Sequence, residues 1–378
     1  MKRTFLFVLA LSGLMMQACA QRHDQPQQAP VRMQQQPAQQ VGHLELTDFT
    51  DVAAATIDAV VHIKTEMEQL TPLYQSFFGF IIPQGVQRQT YSAYGSGVII
   101  TTDGYILTNN HVVQDAASIV VTLNDRRELP ARLVGNDPAT DLAVIKIDAE
   151  GLTYLPFGNS DLVKVGEPVL AIGNPFNLTS TVTSGIISAK ARNMHIIENN
   201  QSAETPLESF LQTDAAVNSG NSGGALVNSK AELIGIVTAI ASGNGFYTGY
   251  SFAIPSNIAV KVAGDLQRYS YVQRGYLGLQ VAEVDADLAR RTGSRDIKGL
   301  YVAKVTKDCA ADRAGMKQGD IILRVAGKDV NTFAEMMEEL GLFSPGDVVE
   351  VDYVRDGVGY TVNTTLLNSQ GNTQIIRK

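Results

Sequence analysis

The sequence predicts a mainly β fold, an antiparallel barrel or sandwich of many short strands, followed by a small α+β module. Three observations carry this. From Gly95 to about Ile254, β-type segments recur at near-regular spacing between turn signals. The chain has 33 glycines among 378 residues and no Trp, which favours frequent turns. From Gly275 to about Leu367, strand-like and helical segments mix in a stretch long enough for only a small unit. With 44% apolar and 18% charged residues, the chain can build real cores, and wholesale disorder is excluded.

The first element is a targeting segment. Lys2 and Arg3 precede an apolar stretch from Phe5 to Met16. That stretch is too short for a ~30 Å hydrocarbon core, so a cleaved export signal over 1–20 fits better. Two cleavage readings stay open. Ala18-Cys19-Ala20 resembles a site that releases a soluble protein, whereas Met16-Gln17-Ala18-Cys19 resembles a loose lipoprotein box with Cys19 lipidated. Either removes Lys2 and Arg3 and takes the formal charge from −8 to −10. No other run reaches ~18 apolar residues, so no transmembrane helix is expected. From Gln21 to Gln40, nine of twenty residues are Gln and three are Pro. Such a segment cannot bury enough surface to offset its ordering entropy, and 21–43 reads as a flexible tether.

Patterned sequence begins near Leu44. Asp48 to Val61 reads as a short amphipathic helix running into a strand. Gln69 to Tyr91, with Tyr74, Phe77, Phe78 and Phe80 between Pro72 and Pro83, breaks the pattern. It reads either as a loop packing its own aromatics or as an oligomer contact or active-site cover. Strand-like segments then follow at Gly97–Leu107 (turning at Asp103-Gly104), Ser118–Leu123, Ala131–Gly135, Leu142–Ile147, Pro168–Ile172, Ser184–Ala189 and Leu233–Ala239. A helix is predicted over Asn257–Tyr269, capped by Ser256 or Asn257. In the second module, Leu300–Val305, Asp320–Val325 and Val348–Arg355 read as strands and Thr332–Leu340 as a helix.

Charge and cysteine usage narrow the function. A net charge of −8 and a pI near 5.2 argue against a nucleic-acid binder with a broad basic face. Two cysteines, Cys19 and Cys309, supply neither a disulfide framework nor a cysteine zinc site. The five histidines lack metal-ligand spacing such as HExxH, so no metal or cofactor is expected.

The residues suited to chemistry are few. Asn218-Ser219-Gly220-Asn221-Ser222-Gly223-Gly224 is either a tight turn or a loop presenting a nucleophilic serine, with backbone N–H groups converging as an oxyanion hole. G-x-S-x-G also marks α/β-hydrolases, but there a helix follows, and here the next segment reads as strand. His111 lies at a strand end and Asp141 opens another strand, and each alone reads as structural. Together they change the reading. A hydroxyl nucleophile needs a base, and the base needs a carboxylate to fix its tautomer. The chain order His, Asp, Ser on an all-β background is the chymotrypsin order.

These stretches closely resemble the HtrA/Deg family of trypsin-like serine proteases. The resemblance rests on Thr108–Val113, Thr140–Ile147, Ala171–Phe176, Gln212–Leu226 and Phe252–Asn257, and on Arg274–Leu279 and Ala310–Asp320 for a PDZ domain. It covers nearly everything from Leu46 to Leu367. It implies a chymotrypsin-like double antiparallel β-barrel over 44–270, one α+β PDZ domain over 271–368 and a tail over 369–378. By the same resemblance Ser222 is the nucleophile, His111 the general base and then acid, and Asp141 the orienting carboxylate. The N–H groups of Gly220 and Ser222 form the oxyanion hole, and Arg192 matches a sensor-loop arginine. The loop Ile240–Tyr250 walls a specificity pocket without an acidic residue, in keeping with the family's preference for small aliphatic residues before the cut. Tyr276, Leu277, Gly278 and Leu279 resemble the PDZ carboxylate-binding loop, beside which a peptide adds as a strand. Met336, Met337 and Leu340 read as pocket wall or as plain core, and Cys309 as a small core or surface residue. Two departures stand out: Ser219 and Ala225 replace prolines common among relatives, and Asn193–Pro206 is longer and more polar than in several of them.

The resemblance implies an exported, ATP-independent endopeptidase of the bacterial envelope or periplasm that acts on unfolded or misfolded polypeptides. It also implies C-terminal peptides as PDZ ligands, a homotrimer or higher oligomer, no nucleic-acid partner, and membrane contact only through lipidation of Cys19. Two other classes remain: a regulatory protease switched on by a PDZ-bound peptide, and a binding module with a vestigial triad.

Overall fold

The computed structural model describes residues 48–77, 80–175, 180–194, 197, 206–240, 249–292 and 297–377, with backbone alone at 69–77, 80–87, 239–240 and 292. The expected export signal with Cys19 and the expected tether lie outside the described residues, as do most of Asn193–Pro206 and of Ile240–Tyr250.

Helix α1 (Thr50–Thr56) passes through a 3-10 turn into β1 (Val60–Phe77), as the sequence predicts. The strands β2 (Phe80–Ile99), β3 (Tyr105–Asn109), β4 (Ser118–Thr122), β5 (Glu128–Asp137) and β6 (Leu142–Ile147) complete a barrel, with the short helix α2 (Asn110–Val113) after β3. Its strands run in the closed order β1-β2-β3-β6-β5-β4. The second barrel comprises β7 (Pro168–Gly173), β8 (Thr181–Arg192), β9 (Phe210–Thr213), β10 (Ala225–Asn228), β11 (Leu233–Ile240) and β12 (Ser251–Pro255), in the closed order β10-β11-β12-β9-β8-β7.

One expectation is corrected here. Gln69–Tyr91 is not a loop: its backbone extends the β1–β2 pair nearly to the tip, with partners from Val60↔Val98 to Phe77↔Phe80 and an irregularity at Leu73/Tyr74. Pro72 and Pro83 interrupt the sequence pattern, but a two-stranded ribbon tolerates proline where the missing N–H faces away from the partner.

The strands read as apolar runs because both faces are buried. Along β6, Ala143, Ile145 and Ile147 fill the first barrel, while Leu142 and Val144 face the seam between barrels. Along β7, Val169 and Ala171 fill the second barrel, while Leu170 and Ile172 face the same seam. This is the period-2 alternation of a strand with two apolar surroundings. Each fully buried Ile, Leu or Phe contributes about 1.5–3 kcal/mol.

Helix α3 (Ser256–Tyr269) lays Ile258, Ala259, Val262, Ala263 and Leu266 onto the seam, the spacing of one helical face. Its cap differs from expectation. Pro255 is the N-cap, and the Ser256 hydroxyl donates instead to the Gly158 carbonyl at 2.7 Å.

The C-terminal unit is a sheet of β13 (Leu279–Glu283), β14 (Leu300–Val305), β15 (Ile321–Val325), β17 (Val348–Arg355) and β18 (Val358–Thr365), with β16 (Lys328–Asp329) paired to β15. Helices α4 (Ala286–Thr292), α5 (Ala310–Arg313) and α6 (Phe333–Leu340) accompany it. Thr332 and Glu335 form a reciprocal capping box that starts α6. Leu277, Val302, Ile322, Met336, Leu340 and Val351 lie in its core. Strand β13 bonds only to β14, so one of its edges is unpaired among the described strands.

Candidate active site and peptide groove

His111 and Asp141 are brought together by two adjacent strands. β3 pairs with β6 up to Asn109↔Leu142, which places the turn after one strand beside the residue before the other. Asp141 has φ +57, a left-handed conformation that Asp tolerates better than most side chains. Its carbonyl accepts the Asn110 N–H and the Asn109 side-chain amide, each at 3.0 Å. Its carboxylate takes the His111 N–H on Oδ1 at 3.0 Å and His111 Nδ1 on Oδ2 at 2.8 Å. A carboxylate only accepts, so Nδ1 carries the proton and Nε2 is left as a base. Burial pushes the His111 pKa down, but the Asp141 hydrogen bond and charge outweigh it, and the net pKa is raised above the ordinary value.

A third partner was not singled out from the sequence. Thr238, on β11, donates its hydroxyl to the same Asp141 Oδ2 at 2.7 Å. Its carbonyl accepts the Ser222 hydroxyl at 3.3 Å, a long O–H···O contact. A threonine in an apolar strand carries no signal of its own, and only the packing of the second barrel against the first brings it to a carboxylate 97 residues away.

The loop Asn218–Gly224 presses against the first barrel. A Cβ on Gly223 (φ +84) would lie 2.1 Å from the Ser96 carbonyl oxygen, so only glycine fits. Gly220 has φ +96. Within the loop, Asn221 N–H donates to Asn218 and Gly224 N–H to Asn221, at 3.0 and 2.9 Å. Among the described residues, the N–H groups of Gly220 and Ser222 donate to no backbone carbonyl. A hydroxyl, a neutral imidazole base, a carboxylate and two uncommitted amide N–H groups are the parts that acyl transfer needs. Arg192 stands apart: it ends β8, and Nε donates to Gln212 Oε1 at 3.2 Å.

The second site lies in the C-terminal unit. Tyr276, Leu277, Gly278 and Leu279 line a cavity of about 710 Å³ with Met336 and Met337. Gly278 (φ +80) and its neighbours form a tied loop: the Gly278 carbonyl accepts Thr306 N–H at 2.9 Å and the Leu277 carbonyl accepts Ala311 N–H at 3.0 Å. Met336 and Leu340 serve the core and the cavity together, so the two readings of these residues are not exclusive. Cys309 also lines the cavity, and its sulfur accepts the Asp312 N–H at 3.4 Å as the cap of α5.

Leu207, which precedes β9 of the second barrel, lines this cavity too. Neighbouring residues bind in both directions. Glu208 accepts the N–H groups of Met194 (2.9 Å) and Ile197, and Ser209 donates to Glu338 of α6 at 2.5 Å. Lys328 bridges Asp161 and Glu339, each at 2.7 Å.

Comparison with known proteins agrees with this geometry. A model of the trypsin-like peptidase domain matches residues 95–236, and one of the PDZ domain matches 275–366. A probable periplasmic serine endoprotease of the DegP-like type from Ectopseudomonas mendocina is 42% identical over 346 residues, covering 85% of this chain and 70% of its own length. Its counterpart in Pseudomonas fulva is 41% identical over 352 residues, covering 86% and 71%. Among solved structures, the HtrA-type protease AlgW with a decapeptide aligns with TM-score 0.63 at 36% identity, over 85% of this chain and 98% of that one. A serine endoprotease from Yersinia pestis aligns with TM-score 0.53 at 36% identity, over 86% and 99%.

Proposed function

The chain belongs to the DegP/HtrA family of trypsin-like serine endoproteases with a PDZ domain, and on that premise we propose that it is an exported, ATP-independent endopeptidase that degrades unfolded or misfolded proteins in the cell envelope. The names of its periplasmic relatives support that location. In this reading 1–20 is the export signal, 21–43 the tether, 44–270 the protease domain, 271–368 the peptide-binding domain and 369–378 the tail. Cys19 supplies any lipid anchor, and the working form is a homotrimer or larger.

The observation that carries the reading is the Asp141 carboxylate shared by His111 and Thr238, with Thr238 also holding Ser222. The Ser222 hydroxyl rotates off the Thr238 carbonyl, gives its proton to His111 Nε2 and attacks the substrate carbonyl carbon. The N–H groups of Gly220 and Ser222 bind the oxyanion, a contribution of ~2.7–4 kcal/mol per donor. The imidazolium, steadied by Asp141, then protonates the leaving amine. Water enters with His111 again as base and releases the acyl group. At the second site, the loop Tyr276–Leu279 receives a C-terminal carboxylate on the backbone N–H groups after Tyr276, whose own N–H is held by the Leu367 carbonyl at 2.8 Å, and the peptide adds along β13.

A regulated variant of this reading is favoured by one observation. Leu207 lines the peptide cavity, and Glu208 and Ser209 beside it grip the segment after Arg192 and helix α6. Occupancy of the cavity then biases the protease through this segment, with Arg192 in the relay. Digestion of unfolded casein by wild type and by Ser222→Ala, with and without a C-terminal peptide, tests both. Cleavage lost in the variant is expected, and dependence on the peptide selects the regulated form. Casein cleavage that survives in Ser222→Ala overturns the reading.

A further inference from the structure

We propose that Ser96 is a positioning residue for hydrolysis, a two-point clamp that holds the Gly220–Ser222 segment so that its N–H groups face the oxyanion. The proposal rests on the reading of Gly220 and Ser222 as the oxyanion hole.

Ser96 lies on β2 and is completely buried. Its backbone N–H donates to the Ser222 carbonyl at 2.8 Å, and its hydroxyl donates to the Gly220 carbonyl at 2.6 Å. The direction of the second bond is fixed by its surroundings. The Asn174 N–H approaches Ser96 Oγ at 2.9 Å and can only donate, so the hydroxyl proton is left for Gly220, whose carbonyl can only accept. The Ser96 carbonyl in turn accepts the Thr108 hydroxyl at 2.7 Å. Ser96 is thereby held on both of its backbone polar groups and on its side chain.

The clamp has a rigid footing. The carbonyl of Asn174 is bonded to Nδ1 of His62 at 2.8 Å, and His62 is buried and stacked on Tyr94. A chain of contacts thus runs from His62 through Asn174 and Ser96 to Gly220. The flanking glycines let β2 come close enough. A Cβ on Gly95 would meet Val112 at 2.6 Å and the Ser222 carbonyl at 3.2 Å, and one on Gly97 would meet Ile106 at 2.6 Å.

The two clamped carbonyls bracket the Asn221–Ser222 peptide, whose N–H is one oxyanion donor. Gly220 carries the other donor, and with φ +96 and no side chain it has little local restraint of its own. The side-chain oxygen of Asn221 is buried with no partner, so it adds none. Ser96 fixes the Gly220–Asn221 peptide plane through the Gly220 carbonyl, and Asn221 N–H in the same plane is tied to Asn218, so the Ser219–Gly220 amide hangs from a plane that is itself held. Ser96 touches neither substrate nor reacting atoms. It acts through the loop alone, and its loss is therefore expected in the transition state and not in substrate binding.

The test compares full-length wild type with Ser96→Ala on an internally quenched peptide with Val before the scissile bond, and with a peptide boronic acid whose tetrahedral adduct occupies the oxyanion hole. The expected result is a kcat lowered roughly tenfold or more at unchanged KM, boronate affinity lowered by the same factor, and a retained cooperative melt. Ser96→Cys keeps a longer, weaker donor and is expected to fall between the two. Should the alanine variant fail to fold, the cysteine variant is read in its place by the same criteria. Wild-type kcat and boronate affinity, or a loss confined to KM, overturn the clamp. Failure of the underlying reading looks different: Ser222→Ala would still cleave, or wild type would neither cleave nor bind the boronate.

Discussion

Thr238 donates its hydroxyl to Asp141 Oδ2 at 2.7 Å, on the oxygen that also holds His111 Nδ1. The carboxylate is therefore oriented from helix α2 of the first barrel and strand β11 of the second. A hydrogen bond to a charged group is worth about 1.5–3 kcal/mol. Thr238→Val keeps the shape and removes the donor, and kcat is expected to fall about ten- to a hundredfold. Steady-state kinetics beside a thermal melt check this. Full activity in the valine variant would show that Asp141 needs no donor from Thr238.

The pH profile follows from His111. Its pKa is raised because the Asp141 hydrogen bond and charge outweigh burial. The base works only when neutral, so the acid limb of kcat/KM is expected at a pH above the ordinary histidine value of about 6.5. The sign for stability is opposite. A raised pKa means that the folded state holds the proton more tightly, so this contribution is fully present below the unfolded value and lost as pH rises through the folded one. Asp141→Asn should lower kcat by about four orders of magnitude through loss of the correct tautomer. An acid limb at or below 6.5 in wild type would contradict the assignment.

Asp137 and Arg274 form a buried ion pair, with side chains 4% and 7% exposed. Thr140 also donates to Asp137, four residues before Asp141. Truncating one member strands the other charge, at a typical cost of 3–5 kcal/mol. Arg274→Ala is expected to lower the urea midpoint accordingly at an unchanged slope. A change below about 1 kcal/mol, the scale of an exposed pair, would show that water reaches Asp137.

Glu338 meets Ser209 at the contact between α6 and the second barrel. Burial raises its pKa, aided by Glu339 and Asp161 and opposed by the Ser209 bond and Lys190. The folded state therefore binds the proton more tightly than the unfolded one. The penalty is full above the raised value and shrinks as pH falls through it toward the ordinary carboxylate value. Glu338→Gln keeps an acceptor for Ser209 and removes the charge. It is expected to raise Tm at pH 8, with the gain fading on acidification. A constant gain at every pH would indicate a cause other than the buried charge.

The candidate catalytic side chains are legible in the sequence and their supports are hidden, for physical reasons. Ser222 sits among glycines whose dihedrals a plain strand does not need, and His111 and Asp141 follow in a chain order that means something only as a set. Thr238 and Ser96 lacked any such mark. One is a β-branched residue in a strand and the other a small residue between glycines, and their partners are set by the packing of one barrel against the other. Strand alternation was blurred because both faces of β6 and β7 are apolar. The outer part of the β1–β2 pair is hidden in the sequence because Pro72 and Pro83 resemble loop punctuation, although the pairing runs past both. The cap of α3 differs from the sequence expectation because the Ser256 hydroxyl is used by Gly158. Leu207 in the cavity of the C-terminal unit is invisible for a different reason: a contact between the second barrel and the C-terminal sheet has no local pattern.

The central claim is that Ser222 is a nucleophile activated by His111. The most direct measurement is labelling of the full-length protein with a fluorophosphonate, followed by mapping of the modified peptide by mass spectrometry. The account predicts a single adduct on Ser222 that disappears in His111→Ala, with the fold retained. No adduct, or an adduct on Ser222 that forms as fast without His111, would contradict it.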